Sequence, residues 1–272
     1  MVKLAKKSGG GAIYFLSGII LIAAVLSITA GLLYLSFIQA PAACVGSTIA
    51  VAEILIDLSD PLPEVTKSQI EQQVVYKIST NNFKGALVEV RILNPSQPAG
   101  DVVFSACHPG NGDDVSEINA DPTRAKLKWE QEFLKPFSSV LNNALSGSHS
   151  SPSSPILETL QAITVQQFLS KPGQKNLIVV SDMLQHSNVV SFYQHDVRNY
   201  FNIEAQAMWP QVKPILDNVN VEYFVLGRRS SKATTADLKY FWCVSWEAAA
   251  KKREPVIGEN CPGWNDLIGL GK

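Results

Sequence analysis

The chain has 272 residues, 46% of them hydrophobic, which suffices to bury a sizeable core in one or two domains. A formal net charge of -1, with no basic stripe, excludes an electrostatic case for binding nucleic acid. Four cysteines are too few for a disulfide scaffold but enough for two bridges.

The first 40 residues differ from the rest. Ile13 to Ile38 contains no charged residue, long enough to cross a bilayer as a tilted helix. Tyr14, Phe15, Tyr34 and Phe37 lie near its ends, where an interfacial aromatic belt places them. Lys3, Lys6 and Lys7 precede it, and no Lys or Arg follows until Lys67. The positive-inside rule then puts residues 1–12 in the cytoplasm and everything after a short linker (39–47) outside. Cleavage as a signal peptide at Ala40 and Ala42 is the alternative, but the apolar core is about twice the usual length. The stretch reads as a membrane anchor.

Val51, Ile54, Leu55 and Ile56 form an apolar run that ends on Asp57, Ser59 and Asp60, the pattern of a buried strand delivering polar groups to an open end. Glu64 to Ser79 carries a helical stripe of Ile70, Val74, Val75 and Ile78. Ala86 to Leu93 alternates as a strand, and a turn from Asn94 to Gly100 leads to a returning strand over Asp101 to Cys107. Asp121 caps a long helix with Pro122 at its first position; Leu127, Phe133, Leu134, Phe137, Val140 and Leu141 give its apolar face, and Pro136 kinks it. After a serine-rich loop, Ser154 is an N-cap for a helix opened by Pro155. Leu177 to Ser181 is a second apolar strand ending on Asp182, and Val219 to Leu226 is a third. Thr235 to Lys252 is the last helix, and residues 253–272 form a tail pinned on the domain.

Strands alternating with helices predict an α/β, Rossmann-like, mostly parallel sheet with helices on both faces. Tracing up and down places Asp57, Ser59, Ser154 and Asp182 on one edge of that sheet, where ligands bind in open α/β folds. With the linker so short, that edge points away from the membrane. The trace puts Cys44 with Cys107, and Cys243 with Cys261, predicting those two bridges in an oxidising compartment.

Two carboxylates and two hydroxyls are hard oxygen donors suited to Mg²⁺. The stretch Asp57-Leu58-Ser59-Asp60-Pro61, Ser154-Pro155 opening a later helix, and Asp182 after a later strand together resemble the metal-dependent adhesion site of the von Willebrand factor type A (vWA) domain family. The resemblance covers roughly Thr48 to Lys252 and implies one antiparallel edge strand and an Asp-x-Ser-x-Ser first element. Here the second serine is Pro61, which leaves Asp60 as substitute ligand and the metal site incomplete. These side chains also read as plain caps and turn formers.

The resemblance implies a non-enzymatic domain that binds other proteins. The expectation is an assembly component of a bacterial envelope complex, single-pass in the inner membrane with its domain in the periplasm, such as part of a secretion or conjugation apparatus. The rival readings are an envelope hydrolase transferring phosphoryl groups through Asp57, and a subunit of a defence or stress-sensing system. For the hydrolase, the second aspartate two residues on is replaced by Ser59, and no phosphate-cradling glycine loop follows the strand. His108, His149, His186 and His195 fit no zinc set. A triad of Ser59, His149 and Asp182 lacks a nucleophile-elbow sequence.

Overall fold

Strand β1 (Val51–Ile56) is in the middle of the sheet, buried on both faces. Ala52, Ile54 and Ile56 join one hydrophobic layer, and Val51 and Leu55 join the other. It pairs in parallel with β2 (Leu87–Asn94) on one side and β4 (Lys175–Ser181) on the other. Beyond β2 lies the antiparallel β3 (Gln97–Cys107), and beyond β4 lie β5 (Val219–Leu226) and β6 (Trp264–Leu267), both parallel. The order is β3-β2-β1-β4-β5-β6, with the single antiparallel strand at one edge as expected.

The computed structural model describes residues 44, 50–113, 121–147, 150–169, 173–227, 232–252 and 261–267. All belong to one unit, Ala43–Lys272. The expected anchor over Ile13 to Ile38, the cytoplasmic end and most of the linker lie outside the described residues. Among the described residues no helix is long and apolar enough to cross a membrane.

Helix α1 (Glu64–Ile78) buries Thr66, Ile70, Val74 and Ile78 on one face of the sheet. Beside it run α2 (Pro122–Trp129), a π-turn over Glu130–Leu134, and α3 (Lys135–Ser146). The residues these three bury are Trp129, Phe133, Phe137, Leu141 and Leu145, every fourth position. In a regular α-helix that spacing drifts by about 40° per step, because ~3.6 residues complete a turn. The wider π-turn takes up part of the drift and keeps the stripe on the sheet. It also loosens the ladder just before Pro136, which lacks an N–H. One consequence is that Leu127, expected on the apolar face, is exposed while Trp129 is buried. Asp121 caps α2 as predicted, its Oδ1 accepting the amides of Thr123 and Arg124 at 2.9 and 3.2 Å.

The other face carries α4 (Ile156–Phe168) and the final helical run, α6 (Thr235–Lys239), a π stretch (Tyr240–Glu247) and α7 (Ala248–Lys251). A short α5 (Trp209–Val212) lies between β4 and β5. The π stretch turns Phe241, Trp242 and Trp246 inward. Trp242 Nε1 donates to the Met183 carbonyl at 3.0 Å.

Two details differ from the sequence reading. The β2–β3 turn is confined to Pro95 and Ser96, and Pro98, Ala99 and Gly100 already lie in β3. Gly100 has a φ of 69°, where a Cβ would meet the Ile92 carbonyl. The segment read as a packed tail supplies the sixth strand. Both predicted bridges are present, Cys44–Cys107 and Cys243–Cys261.

A polar cluster that the sequence reading did not single out sits inside the sheet around Glu53. Arg91 Nε donates to Glu53 Oε2 at 2.8 Å and Nη2 to Glu89 Oε2 at 2.7 Å. Ser105 Oγ donates to Glu89 Oε1 at 2.9 Å, which ties β3 into the cluster. Burial pushes the Glu53 carboxyl up to about 8, against the opposing pull of Arg91. Glu53 is therefore neutral near pH 7, and one arginine faces one ionised glutamate. On the opposite face, burial lowers the His108 pKa. The ring accepts the Gly110 amide at Nδ1 and lies 2.9 Å from the Ile78 carbonyl at Nε2, which sets the neutral tautomer.

These two groups give stability opposite dependences on pH. The raised Glu53 contributes stability in full at acid pH, below its unfolded pKa near 4.5, and loses it as pH rises through about 8. The lowered His108 contributes stability above its unfolded value of 6.5 and loses it as pH falls. Glu53→Gln should remove a decline between about pH 5 and 8 that approaches about 1.4 kcal/mol per pH unit. Denaturant melts of both proteins from about pH 5 to 8 check this, and equal slopes would exclude a buried proton on Glu53.

Candidate functional site

The site is built on Asp57, which follows β1 directly and is 5% exposed. Its amide donates to the Val180 carbonyl of β4 at 2.8 Å, so the backbone is held before the side chain does anything. Oδ1 accepts the Ser59 amide at 3.0 Å. Oδ2 accepts two hydroxyls, Ser154 Oγ at 2.7 Å and Ser181 Oγ at 2.9 Å. One carboxylate thus joins the exit of β1, the loop before α4 and the end of β4.

Ser154 departs from its expected role. Its hydroxyl does not cap α4, whose preceding residue Pro155 makes no side-chain cap bond. Gln185, from the loop after β4, caps instead: its Oε1 accepts the Leu157 amide at 2.8 Å. Ser154 and His186 exchange backbone bonds at 2.8 and 2.9 Å, a small antiparallel bridge between two loops. Ser151 further ties this loop to the Ser59 carbonyl at 2.9 Å.

Ser59 enters the site through its backbone. Asp182 lies on the same edge, but its Oδ1 accepts the Leu184 amide at 2.9 Å and so braces its own loop. Asp60 is half-buried beside Pro61. Ser181 is the participant the sequence reading missed. Its signal was there: a hydroxyl at the last position of an otherwise apolar strand, one residue before the aspartate. Ser181 Oγ also accepts the Met183 amide at 2.9 Å. Met183 is fully buried with a φ of 62°, a conformation rare for a bulky residue and of the kind that collects at functional sites.

Among the described residues, no three His, Cys, Asp or Glu side chains form a group that could hold a metal ion. His108 and His195 stand away from Asp57 in their bonding, and His149 lies outside the described residues. His186 Nδ1 lies 2.8 Å from Ser191 Oγ, but Ser191 is 3% exposed and its oxygen accepts the Gln194 amide. The pair is a turn brace.

Two open grooves flank the site, and both are lined by Leu58 and Ser150. One, of about 540 Å³, runs toward the β2–β3 turn past Ser96, Asp101 and Ser153. The other, of about 490 Å³, runs past Asp60, Lys67 and Ser146.

No protein-family model and no curated relative matches the chain. Among solved structures it is similar to the SpRpn10 VWA domain, at 12% identity over 81% of this chain and 87% of that one, with a TM-score of 0.39. It is similar to the manganese-loaded TRAP protein of Plasmodium vivax, at 9% identity over 81% and 68%, with a TM-score of 0.38. It is also similar to the conserved hypothetical protein BatB from Bacteroides thetaiotaomicron, at 13% identity over 81% and 91%, with a TM-score of 0.32. The strand order, with β1 central and the third strand antiparallel at the edge, is the arrangement that the motif resemblance implies. The fold is vWA-like.

Removing the shared acceptor should cost more than removing either donor. Asp57→Ala leaves two buried hydroxyls and an amide unsatisfied, and should destabilise by roughly 2–4 kcal/mol. Ser181→Ala should cost about 1 kcal/mol, because it also frees the Met183 amide. Chemical denaturation checks both values. A cost for Asp57→Ala within about 0.5 kcal/mol of zero would mean the carboxylate does not hold the edge together.

Proposed function

We propose that this chain is a protein-binding component whose contact surface is the carboxyl edge of the sheet, centred on Asp57. The carrying observation is that one buried carboxylate fastens three separate segments into a floor between two open grooves. A surface built this way is preorganised, which lowers the ordering cost of association.

The uncharged stretch Ile13 to Ile38 and the lysines before it support a single-pass anchor in a bacterial inner membrane, with the domain in the periplasm. The two bridges fit an oxidising compartment. Together these favour an assembly component of an envelope complex, such as a secretion or conjugation apparatus, acting without catalysis. Asp57 makes a poor nucleophile for phosphoryl transfer, since both its oxygens already accept protein donors.

Mg²⁺ would be held by Asp57, Ser59, Ser154 and Asp182, with Asp60 standing in for the hydroxyl missing at Pro61. The donor set fits the ion incompletely. Asp57 is occupied by three protein donors, and Asp182 Oδ1 by the Leu184 amide. The edge is organised by hydrogen bonds and its binding is independent of the metal.

Exposed groove residues test this without touching the fold. Ser96→Arg and Ser150→Arg, in the detergent-extracted full chain, should abolish photocrosslinking of a partner through a probe at Ser153. Thermal stability should stay unchanged, and chelation of Mg²⁺ should leave crosslinking intact. Crosslinks that survive both substitutions would refute the edge as the contact surface. Crosslinks that require Mg²⁺ would restore the metal site.

A further inference from the structure

We infer that the Cys243–Cys261 bridge is a redox latch on strand β6: a dithiol reductant that opens it frees β6 and uncovers the edge of β5. β6 is only four residues long and closes the sheet at one side, pairing with Tyr223 to Leu226. Its approach is closely fitted on the β5 side. The Gly263 carbonyl accepts the Tyr223 amide at 2.7 Å, and a Cβ at Gly263 would stand 2.2 Å from the Val221 carbonyl. Trp264 lies against Tyr223 with ring centroids 5.8 Å apart.

On the other side the packing is open. A cavity of about 540 Å³ is lined by Cys243 and Cys261, with Lys77, Glu222, Glu247 and Lys251 around it. The ion pairs Lys77–Glu222 and Lys251–Glu247 line this space, while beside it Trp264 is buried in the apolar layer that also holds Trp246, Ala249 and Ala250. The disulfide borders this cavity and is the covalent link between the approach to β6 and the last helical run, added to the packing of Trp264. Both its cysteines are half-buried, whereas the other bridge pairs a half-buried Cys107 with Cys44 at 8% exposure, so a reductant finds two accessible sulfurs here and one there.

The exchange balances simply. A reductant thiolate attacks one sulfur to form a mixed disulfide, and its second thiol displaces the protein thiol. Two electrons and two protons end on Cys243 and Cys261, and the reductant leaves as its own disulfide. Once β6 departs, β5 presents unpaired backbone groups that accept a strand from another chain.

Hydrogen exchange on the full detergent-extracted chain tests this, comparing the wild type with a Cys243→Ser, Cys261→Ser double variant. Peptides covering Val219 to Leu226 should exchange at least tenfold faster in the variant, while those covering β1 and β4 keep their protection. Mild dithiol treatment of the wild type should reproduce that pattern, with alkylation of Cys243 and Cys261 preceding that of Cys44 and Cys107. Unchanged protection in β5, or equal acceleration in every strand, would overturn the latch. Alkylation of Cys44 and Cys107 first would do the same.

Discussion

A single carboxylate that accepts three protein donors is the constraint on which this molecule's carboxyl edge depends. Asp57 has no freedom to serve solvent, because a buried anion survives only when its lone pairs are filled. Filling them draws together chain segments separated by 97 and 124 residues. The loops that border the grooves are thereby fixed by the same bonds that end the strands. Fold and surface are one construction at this edge, and polar chemistry joins them.

The chain treats its helices in a similar way. Two of the long helical runs contain π stretches, and both lie over the sheet, one on each face. In the first, the extra width lets a stripe of every-fourth-residue aromatics and leucines stay against the strands. In the second, it aims two indole N–H groups at backbone carbonyls, Trp242 toward Met183 and Trp246 toward Val212. Wide turns here adjust side-chain direction where the local sequence and the flat sheet disagree.

Much of the architecture was legible because it rests on short-range patterns. The mostly apolar runs at Val51, Leu177 and Val219 read as interior strands, and their alternation with helices pointed to a parallel sheet. Asp121-Pro122 signalled a helix start by local chemistry alone. The strand at Trp264 escaped notice because four residues show no period, and its place comes from pairing with β5. Ser154 was found for the wrong reason. A serine before a proline at a helix start looks like a cap, and only the tertiary arrangement turns its hydroxyl toward Asp57. Ser181 was hidden by the opposite bias, since a hydroxyl at a strand end attracts less notice than the aspartate beside it. Glu53 drew no reading from the sequence, because its partners Arg91 and Glu89 lie on a neighbouring strand.

That buried cluster has a further consequence for how the edge hairpin assembles. Apolar faces tolerate sliding, because one aliphatic contact is much like another. Salt-linked groups do not. If β3 slid one position along β2, Ser105 would turn to the opposite face and Glu89 would lose one of its two donors. Ser105, reaching the Glu53–Arg91–Glu89 group from β3, thus works as a register key for the hairpin, because a slipped pairing leaves a buried carboxylate one hydrogen bond short.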